Sequence, residues 1–324
     1  METIEASGKS KMDTLNAMKL YCHIVDAGQL SIAADQLNLS KGAVSKQLAK
    51  LETHLGGRLL NRTTRRLTPT EVGIAFYERA KQILESVEEA ECVVTGLTAE
   101  PSGTLKINAP MSFGFLYMGE LLAKYQQKYP KVKIDITLHD RQIDLVEEGY
   151  DLALRIATLK DSSLIARKIA SCHIVMCASP AYLKKHGEPK TPMDLKKHQC
   201  ISYAYSDSVK YWVLESSLKN SQGKKKQVSI NSALTTNNGN LICDAMINGM
   251  GIASLPTFIA GDAIRKGDAK IIMDDWRPPQ EDISLLYPSS KHLSAKVRAF
   301  VDLAVEHFKP LPDEVNEWDR ELLL

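Results

Sequence analysis

The sequence is poor in what marks a membrane protein, a disulfide scaffold or a familiar enzyme. No apolar run approaches the roughly 20 residues that a membrane helix needs, so no membrane partner is expected. The opening METIEASGKSKMD has no apolar centre, which argues against a secretory leader, and residues 1–11 read as a flexible polar extension. Six cysteines stand at 22, 92, 172, 177, 200 and 243 with no C-x-x-C pair. That pattern suits buried thiols in a reducing compartment better than disulfides or a zinc site, and the expectation is a cytoplasmic protein. G-x-S-x-G, Walker, G-x-G-x-x-G and H-E-x-x-H motifs are all missing, so neither catalysis nor a metal site is expected. Net charge is only +2, so the chain as a whole is no polycation.

The charge that is present is unevenly placed. Between Ser40 and Pro69 stand seven cations (Lys41, Lys46, Lys50, Arg58, Arg62, Arg65 and Arg66) against one acid, Glu52. A local excess of that kind on a near-neutral chain suits a polyanion. The first three lysines lie in a stretch with helical rhythm. Ser40 is a favoured N-cap, and Leu39 with Val44 has the spacing of a hydrophobic staple. Val44, Leu48, Leu51 and Leu55 then form one apolar stripe. The opposite face carries Gly42, Lys46, Ala49 and Thr53, flanked by Ala43, Ser45 and Lys50.

Upstream, LSIAADQLNLS reads as a short helix capped by Ser31, with Ala33, Ala34 and Leu37 giving a small packing face. Before it, TLNAMKLYCHIVDAG reads as an amphipathic helix ended by Gly28, its stripe being Leu15, Met18, Tyr21/Cys22 and Val25. Two helices that cross closely through a tight turn at Asn38–Leu39 make a helix-turn-helix. The outward face of the later helix then has a purpose. A major groove admits one helix, and small residues such as Gly42 and Ala43 allow close approach to base edges. Ser45, Lys46 and Gln47 can donate to bases or phosphates. Downstream, RLLNR and RRLTPT read as two short strands around Thr63–Thr64, a wing whose four arginines need a counter-charge that DNA phosphates supply.

Thr70 can cap a long helix over residues 71–98. Val72, Phe76, Ala80, Ile83, Val87, Ala90, Val94 and Leu97 form a near-heptad seam that asks for a second copy. TAEPSGT marks a hinge. Beyond it strand and helix alternate: TLKINAP, LYMGELLAKYQQKYP, VKIDITL, QIDLVEEGY as a helix, DLALRIA, HIVMCASP and GIASLPTFI. This rhythm predicts a mostly parallel sheet covered by helices, and two such lobes would enclose a ligand cleft at strand carboxyl ends. GKKKQ at 223–227 reads as a solvated turn, and DDW at 274–276 as carboxylates without a ligand cluster. HQC at 198–200 reads as a buried thiol beside a histidine, and Cys172 with Cys177 leaves redox sensing as a second reading.

These features together resemble the LysR-type transcriptional regulators, over about Met12 to Phe308. The most specific part is SIAADQLNLSKGAVSKQLAKLETHLGGRLLNRTTRRLTPTEVG. DLALRIATLKDSSLIARKI, SPAYLKKHG, NGMGIASLP and YPSSKHLSAKVRAFVDLAVEHF resemble a subgroup close to the CrgA and AphB regulators. The resemblance implies an α+β multi-domain chain: a winged helix-turn-helix (12–70), a dimerising linker helix (71–98) and an effector domain (102–308) with the type 2 periplasmic-binding-protein fold. Subdomain I would span about 102–171 and 268–308, subdomain II about 172–267, leaving 309–324 as a tail beyond the usual end. It implies promoter DNA, a small-molecule co-inducer, RNA polymerase and further copies of the chain, as a homotetramer, for partners, and no other cofactor. DNA contacts are expected from Ser31, Lys41, Gly42, Ala43, Ser45, Lys46, Gln47, Lys50, Arg58, Arg62, Thr64, Arg65 and Arg66. Effector contacts are expected from Ser112, Phe113, Arg155, Ser202, Tyr203, Asn237 and Asn238. The chain departs from the family pattern at Lys41-Gly42, where many members carry Gln-Pro or Gln-Ser, and at Lys46, where they carry Arg. A solute-binding protein and a non-specific nucleoid protein are the competing readings. The basic N-terminal module opposes the first, and comparison of promoter with random DNA separates the second.

Overall fold

The computed structural model describes residues 13–62, 67–95, 100–141, 143–145, 147–157, 164–205, 209–218, 223–289, 293–310 and 316–322. The chain forms two units, 1–99 and 100–324.

The first unit begins with α1 (Thr14–Ala27), whose N-cap Asp13 accepts from the Asn16 N–H and whose end is turned by left-handed Gly28. α2 (Leu30–Gln36) and α3 (Lys41–Leu55) follow. Asn38 sits at φ 52° in the turn between them, a conformation Asn tolerates better than most residues. The α3 cap forms as the sequence requires: Ser40 Oγ accepts from the Ala43 N–H at 3.1 Å. α2 differs from expectation. Its N-cap is Gln29, with no side-chain bond, and Ser31 is exposed inside the first turn. The core gathers Leu20, Tyr21, Ile24, Ala33, Ala34, Val44, Leu48, Leu51, Leu59 and Leu60. Burying each large side chain there contributes about 1.5–3 kcal/mol. On α1 the buried face is Ala17, Leu20, Tyr21, Cys22 and Ile24; of the expected stripe Tyr21 and Cys22 are buried and Val25 packs on the core, while Leu15 is exposed.

β1 (Leu60–Arg62) and β2 (Leu67–Pro69) pair antiparallel with Asn61 opposite Thr68. The wing turn itself lies outside the described residues. α4 (Glu71–Thr95) starts at Thr70, whose hydroxyl accepts from the Gly73 N–H and donates to the Arg58 carbonyl. Its first turns pack on their own unit. Phe76 meets Tyr21 edge-on at 5.5 Å, and the Tyr77 hydroxyl donates to Asp26. Val72, Ile74 and Ile83 stay exposed. Of the expected seam, therefore, Phe76 and Ala80 face the home domain, while Val72 and Ile83 face outward.

The second unit holds two lobes. The first has a five-stranded sheet of order β4-β3-β5-β15-β6, made of β3 (Gly103–Ala109), β4 (Val132–Leu138), β5 (Leu152–Ile156), β6 (Leu164–Cys172) and β15 (Glu281–Pro288). α5 (Met111–Lys128) and α9 (Ala295–His307) cover one face. Leu105, Ile107 and Ala109 alternate inward against Phe113, Leu121 and Phe300. The second lobe has the sheet β11-β8-β12-β7-β13: β7 (Ile174–Ala178), β8 (Gln199–Tyr203), β11 (Asn231–Thr236), β12 (Ile252–Pro256) and β13 (Lys270–Ile271). Its helices are α6 (Pro180–His186), α7 (Gly239–Ile247) and α8 (Thr257–Arg265). A small third sheet joins β9 (Tyr211–Ser216), β10 (Lys225–Ser229) and β14 (Trp276–Arg277).

Both large sheets are mixed rather than mostly parallel. β15 runs antiparallel to β5 and β6, and β7 antiparallel to β12, because these strands carry the chain between lobes. The return to the first lobe comes at Glu281, not near Asp268: β13 still pairs with β7, and β14 with β9. QIDLVEEGY makes no helix among its described residues. Asp144 accepts from the Glu147 N–H, and one turn closes at Gly149 with φ 73°. Lys225–Gln227 lie on strand β10 rather than in a turn, and Lys226 Nζ sits 4.9 Å over the Trp276 ring.

Candidate DNA-binding surface and effector cleft

The face of α3 that does not pack is the basic one. Lys41, Gly42, Lys46, Gln47 and Lys50 are exposed, and Ala43 and Ser45 are half-buried beside them. Val44, Leu48 and Leu51 are fully buried behind, which fixes the roll of the helix. Glu52, the single acid of the stretch, has a structural task. Its Oε1 accepts from the Leu59 and Leu60 N–H groups at 2.9 and 3.2 Å, tying α3 to the wing. In the sequence Glu52 stands out only as a charge. Arg58 is exposed at the entry to β1. Arg62 ends β1, its side chain lying outside the described residues together with Thr64, Arg65 and Arg66.

Tyr21 organises the base of the wing. It is fully buried, donates to the Leu59 carbonyl at 3.2 Å, and burial, aided by Cys22 and Glu52, pushes its hydroxyl up to about 12. Gly73 packs against the same point: a Cβ there would lie 2.0 Å from the Leu59 carbonyl oxygen and 2.7 Å from the Tyr21 hydroxyl.

In the second unit the lobes meet at strand carboxyl ends, where open α/β sheets hold ligands. The start of α5 and the start of α7 face each other. Asn238, the N-cap of α7, accepts from the Leu241 N–H, and its Nδ2 lies 3.0 Å from Met111 Sδ. Ser112 is buried, and its Oγ would lie 3.2 Å from a Cβ at Gly239. Asp140, just past β4, links the lobes. It accepts from the Met111 N–H at 3.3 Å and from the Tyr203 hydroxyl. Burial raises the Asp140 carboxyl, against the lowering pull of those bonds and of Arg155. Burial and the neighbouring Asp140 push the Tyr203 hydroxyl upward. Arg155, at the end of β5, donates from Nη1 to the Leu154 carbonyl at 2.9 Å, and its buried Nη2 meets no partner among the described residues. Burial draws its guanidinium down, while Asp140 holds it up.

Tyr203 and Arg155 thus stand beside Asp140, while Ser112 and Asn238 lie where the starts of α5 and α7 meet, Asn238 being linked to Asp140 through Met111. The other expected effector residues are placed differently. Phe113 is fully buried in the first lobe, 5.4 Å from Tyr117, Phe258 and Phe308. Ser202 is buried and donates to the Val209 carbonyl at 3.4 Å, while Asn237 is exposed. Asp140 was missed, although its place directly after an apolar strand could have flagged it. Among the described residues no cluster of His, Cys, Asp and Glu could hold a metal ion, and no helix is long and apolar enough to cross a membrane.

A helix-turn-helix with an exposed basic helix, a wing, a long helix and a two-lobed α/β unit define a DNA-binding regulator with its own sensor domain. The comparisons agree. Residues 15–74 match the model of bacterial regulatory helix-turn-helix proteins of the lysR family, and residues 98–309 match that of the LysR substrate binding domain. An HTH-type transcriptional regulator of Haemophilus influenzae is 38% identical over 286 residues, 88% of this chain and 98% of its own. The regulator CrgA of Neisseria meningitidis is 30% identical over 290 residues, covering 89% and 95%. The full-length structure of the Vibrio cholerae virulence activator AphB superposes with a TM-score of 0.56 at 28% identity, covering 90% of this chain and 98% of that one. The chain belongs to the LysR family of transcriptional regulators, which bind promoter DNA, oligomerise and sense small-molecule effectors; it is not an enzyme.

Proposed function

We propose that α3 enters a major groove with Lys41, Gly42, Ala43, Ser45, Lys46, Gln47 and Lys50 facing the duplex. Ser31 and Arg58 flank it at the backbone, and the wing residues Arg62, Thr64, Arg65 and Arg66 hold phosphates. The observation that carries this reading is the roll of α3: Val44, Leu48 and Leu51 on its aliphatic side are fully buried, so its small and cationic side faces solvent. Two copies joined through α4 read two half-sites, and two such dimers form a tetramer. The setting is the cytoplasm, and RNA polymerase at the adjacent promoter is the final partner.

The effector sits in the cleft lined by Ser112, Arg155, Tyr203 and Asn238, with Asp140 between them. Phe113 and Ser202 support it from behind, and Asn237 stands at its rim. The Asp140–Tyr203 bond spans the lobes, so a ligand that replaces it changes their closure. An effector shifts the assembly only by its differential affinity for the two settings.

The test is binding to the chain's own promoter and to random DNA over a range of salt. Arg65→Ala and Arg66→Ala lower affinity for every sequence and flatten the salt slope by about 1 for each phosphate no longer neutralised. Ser45→Ala and Lys46→Ala relax preference at particular base pairs. Equal losses on all sequences for the latter pair would contradict the orientation of α3.

A further inference from the structure

Residues 310–324 lie beyond the last residue that the family's effector-domain model matches, Lys309. By sequence they read as a loose tail or a surface for a neighbouring molecule. Residues 316–322 instead fold onto their own unit, at the place where the two lobes join. Asp319 is 1% exposed. Its carboxylate accepts from the Thr257 hydroxyl and from Asn316 Nδ2 at 2.9 Å, and lies 2.9 Å from His173 Nδ1. His173 is the single residue between β6 and β7, which is the chain's first crossing from lobe to lobe. Thr257 opens α8 in the second lobe and also donates its N–H to the His173 carbonyl at 2.9 Å. Asn316 Nδ2 reaches the Ser171 carbonyl, on β6 of the first lobe, at 3.0 Å.

Trp318 completes the attachment. Its ring lies 5.0 Å from Tyr117 and 5.8 Å from Phe113 on α5 of the first lobe, and 6.3 Å from Phe258 on α8 of the second. Its carbonyl accepts from Arg265 Nη1 at 3.4 Å. Gly261, on α8, leaves room for Leu322, whose Cδ1 would lie 3.1 Å from a Cβ at that position. One short segment therefore grips the first lobe, the crossover and the second lobe at once.

We propose that residues 316–322 form a strap across the lobe junction, which fixes the pivot about which a change of closure turns. Such a segment sets how much of an effector's binding energy goes into moving the lobes. That consequence rests on the sensor reading above; the strap itself does not. Effector and DNA are therefore left out of the test.

Hydrogen exchange is followed by mass spectrometry on the full chain, on a chain ending at Pro310, and on full-length Asp319→Asn and Trp318→Ala variants. Peptides covering 170–174 and 254–260 exchange about tenfold faster in the three altered proteins, while β3, β5 and residues 14–62 keep their protection. In parallel, spin labels are placed at Gln127→Cys and Lys196→Cys on a Cys92→Ser background, in exposed parts of the two lobes. The distance distribution between them broadens when the strap is cut. Unchanged exchange at the junction overturns the proposal. So does an equal rise in β3 and β5, which would make the segment ordinary core, and so does an unaltered distance distribution. Should the truncated chain fail to fold, Asp319→Asn decides by the same exchange pattern.

Discussion

Replacing Gly73 with alanine tests how the wing is coupled to the linker helix. The new methyl group would sit 2.0 Å from the Leu59 carbonyl oxygen and 2.7 Å from the Tyr21 hydroxyl. Neither neighbour can yield cheaply. The carbonyl is backbone, it accepts from the Tyr21 hydroxyl and from the Thr70 N–H, and Tyr21 is fully buried. Overpacking of this kind costs about 1–3 kcal/mol, and a buried hydroxyl that loses its partner costs about 1–3 kcal/mol more. Alanine's helix propensity returns about 1 kcal/mol. The net loss is about 1–5 kcal/mol, which at about 5 °C per kcal/mol in a domain of this size lowers Tm by about 5–25 °C. The assay is thermal unfolding of the full chain followed through the winged unit, with operator affinity measured well below the new Tm. Affinity falls too, because Leu59 and Leu60 lead into β1. A variant that melts within about 2 °C of the parent and binds DNA equally would show that α4 moves freely over the wing base, refuting the coupling.

Other consequences can be checked as directly. Lys296 is buried, donates to the Thr104 carbonyl at 2.7 Å and lies 3.4 Å from Asp151. Lys296→Met should therefore cost about 2–4 kcal/mol in urea unfolding of the effector unit, most of it recovered in Lys296→Met/Asp151→Leu; a loss below about 0.5 kcal/mol would dismiss the pair. Burial raises the thiols of Cys22 and Cys243 to about 11 and of Cys200 to about 12, and it raises those of Cys172 and Cys177 as well. In a Cys92→Ser background an aromatic disulfide reagent at pH 8 should label these five at least about 100-fold more slowly than in the unfolded chain, and rapid labelling of any would reopen redox sensing. Asp319 is pulled up by burial but held net below its ordinary 3.8 by bonds from His173, Thr257 and Asn316. A depressed carboxyl contributes stability that is fully present above the ordinary value and lost as pH falls through the folded one. Stability of the intact chain should thus drop below about pH 4 more steeply than that of Asp319→Asn, and parallel curves would exclude the carboxylate as an anchor.

Much of the DNA-binding unit was legible because its signals are local. The Ser40 cap, left-handed Gly28 and the Thr70 cap each depend on a few neighbouring residues, and each forms; of the expected α3 stripe Val44, Leu48 and Leu51 are buried, while Leu55, at the helix end, is exposed. On α1 the expected Tyr21/Cys22 are buried and Val25 packs on the core, but Ala17, Leu20 and Ile24 are buried while Leu15 is exposed, because apolar residues nearly encircle the helix and packing chooses among them. The effector unit was less legible, because its decisive contacts are long-range. β13 and β14 are two residues long and carry no period, so the return to the first lobe was placed too early. Phe113 follows a strand, as an effector residue would, but the arrival of Phe258, Phe308 and Trp318 from far along the chain makes it core.

The same long-range logic links Asp140 and Asp319. Asp140 is half-buried and Asp319 buried where the two lobes meet, yet burial leaves Asp140 raised while three donors leave Asp319 lowered. Asp140 is held by one hydroxyl and one N–H, and its bond to Tyr203 crosses the cleft. Asp319 is held by groups on the crossover, α8 and its own segment. In the proposed cleft a ligand would compete with Asp140, the less well satisfied of the two, and leave Asp319 untouched. Opening at the cleft is therefore the easier motion, and the junction behind it acts as the pivot. This predicts unequal effects of the two amides: Asp140→Asn changes the lobe setting while sparing protection at residues 254–260, and Asp319→Asn loosens that segment first.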